Sequence, residues 1–274
     1  MKILLTGSTS GIGWETFKDL WSEGHEMILP VRNVKKAEGM LHNFGVKERI
    51  YVYPMDLANL NSVSEAAGMI IKDHDQIEVI INNAGGMYPQ QKKSDDGIDL
   101  TFSVNHLGHF LLTTQVLKKL KKSPSKVINV SSEAHKIAKV RKDDLGLIKS
   151  TSDLTSYANV KLYNILFTIR LKQKYGEKGL NVFSLHPGAV RTNFGSDSGP
   201  ISKAIIQLSQ LFFISAKKGA QTTLHLVKQD NSKLVNGAYY KKQKPANSSK
   251  TAKDMELAKA LWDYSEGEIE RILG

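Results

Sequence analysis

The chain has 274 residues, an ordinary length for an α/β fold and enough to bury a large core without covalent staples. It contains no cysteine, which excludes disulfides, thiolate zinc sites and a cysteine nucleophile, and its eight histidines show no metal-binding spacing, so no metal is expected. The net charge of +11 comes from scattered lysines with short clusters at Lys118-Lys119-Lys121-Lys122 and Lys241-Lys242-Lys244; no nucleic-acid motif accompanies them, so a solvated basic surface is expected, one that also suits a phosphorylated cofactor or weak contact with an anionic membrane.

The apolar run Ile3-Leu4-Leu5 stops at a Gly-rich turn, too soon for a signal peptide, and no stretch of about 18 apolar residues predicts a spanning helix. With no cysteine, the composition fits a reducing compartment, and a cytoplasmic location is expected.

Ile3 to Thr6 reads as a short buried strand. Gly7-Ser8-Thr9-Ser10-Gly11-Ile12-Gly13 follows, then an amphipathic helix to about Glu23. A strand, a Gly-rich turn and a helix N-terminus together make a phosphate site, because backbone can approach the anion and the first helical N–H groups face it. The spacing Gly-x-x-x-Gly-x-Gly is not the common Gly-x-Gly-x-x-Gly fingerprint, and such a turn can also be only a tight loop. The second strand, Glu26 to Val31, ends at Arg32-Asn33, with Lys35 and Lys36 close behind and no acid. A base there accommodates the 2′-phosphate of NADP, where an acid would select NAD; the plain alternative is a surface charge.

Arg49 to Pro54 is a third strand, ending at Met55-Asp56-Leu57, and a helix follows with Asn59 or Asn61 as its cap. Ile77 to Ile81 is a fourth, ending at Asn82-Asn83-Ala84-Gly85-Gly86, and a helix is expected from near Asp96 to about Lys122. Lys126 to Val130, ending at Ser131-Ser132, is a fifth. Leu154, Ala158, Leu162, Ile165, Leu166 and Ile169 then form one apolar helical stripe. On that helix Tyr157 and Lys161 stand four apart, nearly on one face, where an ammonium beside a phenol favours the phenolate and suits the Tyr to proton transfer. By itself such a pair is common on helices. A sixth strand, Leu180 to Leu185, ends at His186-Pro187-Gly188; a helix from Lys217 to Lys228, a seventh strand from Gly237 to Lys241, a loop over Pro245 to Ser249 and a terminal helix from Thr251 to Leu273 complete the chain.

Strands alternating with crossover helices imply an α/β fold, a doubly wound seven-stranded parallel sheet of Rossmann type with helices on both faces, and one domain over residues 1–274. Polar and Gly-rich residues recur at the carboxyl ends of the strands, the edge where open α/β sheets bind ligands.

The ordered set Thr6-Gly7-x-x-x-Gly11-x-Gly13, Asp56-Leu57, Asn82-Asn83-Ala84-Gly85, Asn105, Ser132, Tyr157-x-x-x-Lys161 and Pro187-Gly188 resembles the short-chain dehydrogenase/reductase family over roughly residues 1–195. Val104 to Phe110, Asn129 to His135, Ser156 to Leu162 with Asn164 to Phe167, and Gly237 to Tyr240 are similar to its retinol-dehydrogenase-like branch, although many animal members carry a membrane anchor before the first strand that this sequence does not show. The resemblance implies an oxidoreductase that moves a hydride between NADP(H) and an apolar alcohol, aldehyde or ketone. Tyr157 would be the general acid or base, Lys161 would lower its pKa and hold the nicotinamide ribose, and Ser132, favoured by register over Ser131, would bind the substrate oxygen. Asn105 would hold a water behind Lys161, or simply bridge backbone. The cofactor would meet Gly7, Ser8, Thr9, Ser10, Gly11, Ile12 and Gly13 at its phosphates, Arg32 at the 2′-phosphate, and Asp56, Leu57, Asn83, Ala84 and Gly85 on the adenosine side. Pro187, Gly188, Val190 and Thr192 would meet its nicotinamide half. His106 and His109 read as packing residues. The apolar segment at about 195–216, with Ile205, Ile206, Leu208, Leu211, Phe212 and Phe213, reads as a substrate lid or as a core or dimer-contact helix; a homodimer or homotetramer is open. The reading from another class is a catalytically silent dinucleotide-binding sensor or scaffold, which would be expected to lose the Tyr, Lys or Ser.

Overall fold

The computed structural model describes residues 1–90, 92–117, 125–150, 152–188 and 214–274. Its sheet runs β3-β2-β1-β4-β5-β6-β7-β8. The strands are β1 (Lys2–Leu5), β2 (Glu26–Val31), β3 (Ile50–Pro54), β4 (Val79–Asn82), β5 (Ser125–Val130), β6 (Leu180–His186), β7 (Tyr239–Lys241) and β8 (Lys244–Pro245). Pairing is parallel from β3 to β7. The sequence expectation of seven strands is corrected by β8, which pairs antiparallel with β7. Lys242 and Gln243, at φ 51° and 63°, make the two-residue reversal between them. Such turns need positive φ at both central residues and ordinarily announce themselves by Asn-Gly, so Lys-Gln gives no signal.

Both faces of the sheet are apolar, as parallel strands require. Ile3, Leu5, Val79, Ile81, Ile128 and Phe183 point to one core, shared with α1 (Gly11–Ser22) and α2 (Val34–Asn43). Leu4, Ile80, Val127 and Val182 point to the other, shared with α3 (Leu60–Asp73). Sequence periodicity does not single out α2; its marker is Asn33, whose Oδ1 accepts from Lys36 N at 2.9 Å. Asn59 is the α3 cap, accepting from Ser62 N at 2.9 Å.

The helix expected from Asp96 begins later. Asp96 accepts from Leu60 N at the head of α3, and Asp99 caps the shorter α4 (Leu100–Phe102) through Phe102 N at 2.8 Å. A π-helical segment, Ser103–Leu107, leads into α5 (Gly108–Val116); the expected end near Lys122 falls outside the described residues. Helix α6 (Asp153–Tyr175) is buried on nearly every side, with Leu154 of the expected stripe exposed at its head. α7 (Ala216–Lys228) returns to the α1 face, and α8 (Met255–Leu273) packs along α6 after a 3-10 turn at Thr251–Lys253.

Candidate active site

The strand order reverses between β1 and β4, so the loops after these strands diverge and leave a crevice at their carboxyl ends. The Gly-rich turn lines it. Gly7 sits at φ +69°, and a Cβ on Gly13 would lie 2.0 Å from the Gly7 carbonyl oxygen, so turn and helix meet closer than any side chain permits. Ser10 caps α1 without a side-chain hydrogen bond, and the buried Ser8 hydroxyl has no partner among the described residues. Free helical N–H groups, an unpaired hydroxyl and a cradle that a Cβ would fill fit the pyrophosphate of a dinucleotide. Thr9, Gly11 and Ile12 lie on the same partly exposed turn.

Thr6, quoted only as part of the motif, organises this edge. Its hydroxyl accepts from the N–H groups of Asn83 and Ala84 at 3.0 Å each, while Asn83 Nδ2 donates to the Thr6 carbonyl at 2.9 Å. The ends of β1 and β4 are thus tied as one unit. A buried Thr at a strand end, next to a required Gly, was the available signal.

Arg32 is exposed at the end of β2 and makes no hydrogen bond or ion pair among the described residues, because Asn33 takes the capping task. Asp56 spends Oδ1 on its own turn, accepting from Ala58 N at 2.9 Å, as a turn residue does. The Leu57 carbonyl accepts from Ser103 Oγ at 3.0 Å. Pro187 and Gly188 follow β6; a Cβ on Gly188 would lie 2.5 Å from Ile214 Cδ1. Val190, Thr192 and the segment at 195–213 lie outside the described residues.

At the carboxyl end of β5, Ser131 and Ser132 part ways. Ser131 is buried and its hydroxyl donates to the Lys161 carbonyl. Ser132 begins a 3-10 turn, Glu133–Ile137, accepts from Ala134 N at 3.2 Å, and lies beside Tyr157, where it favours the charged form of the phenol. Two anchors steady that turn. His135 bridges the Ser132 carbonyl (2.6 Å) and Ser249 N (3.1 Å), and Glu133 receives Tyr239, Lys241 and Lys136.

Lys161 Nζ lies 5.3 Å from the Tyr157 ring centre and donates to the Val130 carbonyl at 3.4 Å. The ammonium therefore stands beside the ring. Burial pushes the Tyr157 pKa well above the usual phenol range, and the Ser132 bond pulls back against it. Burial also lowers Lys161 to about 8. With the chain's own groups alone, Tyr157 carries its proton at neutral pH. Asn105 stands in the π-helical segment, a backbone irregularity that recurs at functional sites. Its side chain is spent on Gly86 N, Gly86 O and Thr101 O, at 3.2, 2.9 and 2.9 Å. A Cβ on Gly85 would fall 2.4 Å from Asn105 Oδ1 and 3.4 Å from Lys161 Nζ, so only glycine lets the two approach.

A proton-bearing Tyr with Ser132 and a buried ammonium beside it, together with a tight Gly-rich turn after β1, match what the chain is similar to. Residues 1–200 match the short chain dehydrogenase family. The chain belongs to this family. Human retinol dehydrogenase 12 is 34% identical over 267 residues, covering 96% of this chain and 84% of the relative. Human retinol dehydrogenase 14 is 35% identical over 285 residues, covering 96% and 84%. These relatives place the chain in the retinol-dehydrogenase-like branch. The fold of an uncharacterized protein from Mycobacterium paratuberculosis superposes with a TM-score of 0.79 at 29% identity, over 98% of this chain and 93% of that one. As a short-chain dehydrogenase the protein is a nicotinamide-dinucleotide oxidoreductase of the alcohol and carbonyl class.

Proposed function

We propose that the protein is an NADP(H)-dependent oxidoreductase that interconverts apolar alcohols with aldehydes or ketones, Tyr157 being the general acid and base. The observation that carries the reading is the buried Lys161 Nζ lying 5.3 Å from the Tyr157 ring, with Ser132 beside the same tyrosine. Bound in the cradle, a nicotinamide dinucleotide supplies the hydride for reduction or accepts it in oxidation. Ser132 is the hydroxyl that would donate to the substrate oxygen when substrate is bound, its own oxygen held in place by Ala134 N. Tyr157 then gives its proton to that oxygen, and the Lys161 ammonium holds the phenolate left behind. A Tyr that keeps its proton at neutral pH is in the form that a proton donor in carbonyl reduction needs. The reading includes a cytoplasmic place of action, testable by fractionation.

NADP over NAD rests on the unengaged Arg32 guanidinium beyond β2, a planar donor fork suited to a phosphate. The names of the relatives direct the substrate search to retinoid-like carbonyls. Fluorescence titration with NADPH and NADH, followed by turnover of retinaldehyde, sterol ketones and long-chain aldehydes, tests the reading. NADPH bound more tightly, with turnover of bulky apolar carbonyls, is expected. NADH bound more tightly would overturn the Arg32 assignment, and dinucleotide binding with the Tyr157→Phe variant as competent as the wild type would return the protein to a silent sensor.

A further inference from the structure

Two buried histidines stand on the run that carries Asn105, and the reaction as described uses neither. His106 packs among Phe102, Phe110, Tyr163 and Phe167 and meets Ser265 of α8 at 3.0 Å. His109 is placed differently. Its Nε2 lies 2.9 Å from Thr6 Oγ1, and its Nδ1 lies 3.4 Å from the Asn105 carbonyl oxygen.

Counting hydrogen-bond capacity shows which nitrogen bears the proton. A hydroxyl has one proton and two acceptor sites. Both acceptor sites of Thr6 are filled by Asn83 N–H and Ala84 N–H. A ring N–H facing the same oxygen would be a third donor with no lone pair to meet. The Thr6 hydroxyl therefore donates to Nε2, which is closer than its other acceptor, the Ile81 carbonyl at 3.4 Å. The imidazole proton is left on Nδ1, where it faces the Asn105 carbonyl. Burial, with the Lys161 charge adding to it and the Asn105 bond opposing, holds the His109 pKa at about 4, so the ring is neutral.

We propose that His109 is a positioning residue, a neutral Nδ1–H imidazole that locks the cofactor-facing ends of β1 and β4 to the main-chain carbonyl of Asn105, the residue whose side chain meets Lys161 over Gly85. The hydrogen bonds run in one direction: Asn83 and Ala84 N–H to Thr6, Thr6 O–H to His109, His109 N–H to Asn105. The Asn105 side chain holds Gly86 and Thr101 and approaches Lys161 Nζ over Gly85, while its main-chain carbonyl faces His109. The inference rests on the function proposed above, and its first test does not need the cofactor.

Imidazole nitrogen-15 shifts of the unliganded protein, with His109 assigned by its substitution, report the tautomer directly. The Nδ1–H form, unchanged from pH 8 to pH 5, is expected; the Nε2–H form, or a titration within that range, overturns the proposal. Two variants then separate the halves of the link. His109→Asn places an amide N–H where Nδ1–H stood, so the pH profile of kcat persists while NADPH affinity falls about five- to tenfold, the scale of one neutral hydrogen bond. His109→Gln places an amide oxygen where Nε2 stood, so NADPH affinity persists while kcat falls about five- to tenfold and its pH profile shifts. Equal losses in both variants, no loss, or the reverse assignment would mean the ring only fills space. Wild-type protein that binds neither dinucleotide would end the proposed function instead, with the tautomer result still deciding how His109 is held.

Discussion

Single residues carry most of the chemistry proposed here, and each has its own test. Replacing Tyr157 with Phe removes the proton donor and keeps the ring beside Lys161; turnover is expected to fall by about 10² to 10⁴, the usual range for a general acid, with cofactor affinity unchanged in fluorescence titration. The Lys161 pKa of about 8 sets an alkaline limit. Below it the ammonium is present to hold the phenolate; above it the charge is lost, so kcat for carbonyl reduction should be flat to about pH 8 and decline beyond. A rate that kept rising through pH 9 would remove Lys161 from the proton step. Arg32→Ala should weaken NADPH binding about tenfold or more, the scale of a charge-assisted hydrogen bond, and leave NADH untouched. Equal weakening of both dinucleotides would assign Arg32 to the fold.

At the scale of elements, the site depends on how α6 is held. Lys161 and Asn164 both donate to the Val130 carbonyl, at 3.4 and 3.0 Å, while Ser131 donates back to the Lys161 carbonyl. The helix is thereby pinned to the carboxyl end of β5, where Ser132 begins the next turn. On its outer side α8 covers it: Trp262, 2% exposed, packs against Phe110 and Phe167 at ring-centre distances of 4.7 and 6.0 Å, and His106 reaches Ser265. Trp262→Ala should cost about 3–5 kcal/mol, as large-to-small changes in a core do, seen as a lower urea midpoint with an unchanged slope. A cost under about 1 kcal/mol would mean that α8 is only loosely docked.

For the whole molecule, binding and stability are linked. A ligand that the native state alone binds stabilises it, so NADPH at a hundred times its Kd should add about 2.7 kcal/mol to unfolding. The net charge of +11 attracts anionic ligands, so the apparent NADPH affinity should weaken as salt rises from 0.05 to 0.5 M, and NADH affinity should weaken less. Salt-independent binding of both would place the affinity in local contacts rather than in the overall field.

The order of strands, the phosphate turn and the Tyr157–Lys161 pair were legible in the sequence because each rests on short-range periodicity. Apolar runs of strand length, three glycines at one turn and a four-residue helical spacing need no distant partner to be recognised. The β7–β8 reversal was not legible, because Lys242-Gln243 lacks the residues that favour positive φ. The late start of α4 was not either: Asp96 is as good a cap as Asp99 until α3 claims it. Whether Ser131 or Ser132 faces Tyr157 turned on which hydroxyl the Lys161 carbonyl takes. Thr6 lies 103 residues before His109, and the two join Asn105 in a single hydrogen-bonded unit only when β1 and β4 lie side by side next to the helical run that carries both. Which atom donates to which is a property of that assembly, because hydrogen-bond capacity is settled only when all the partners of a buried group are present.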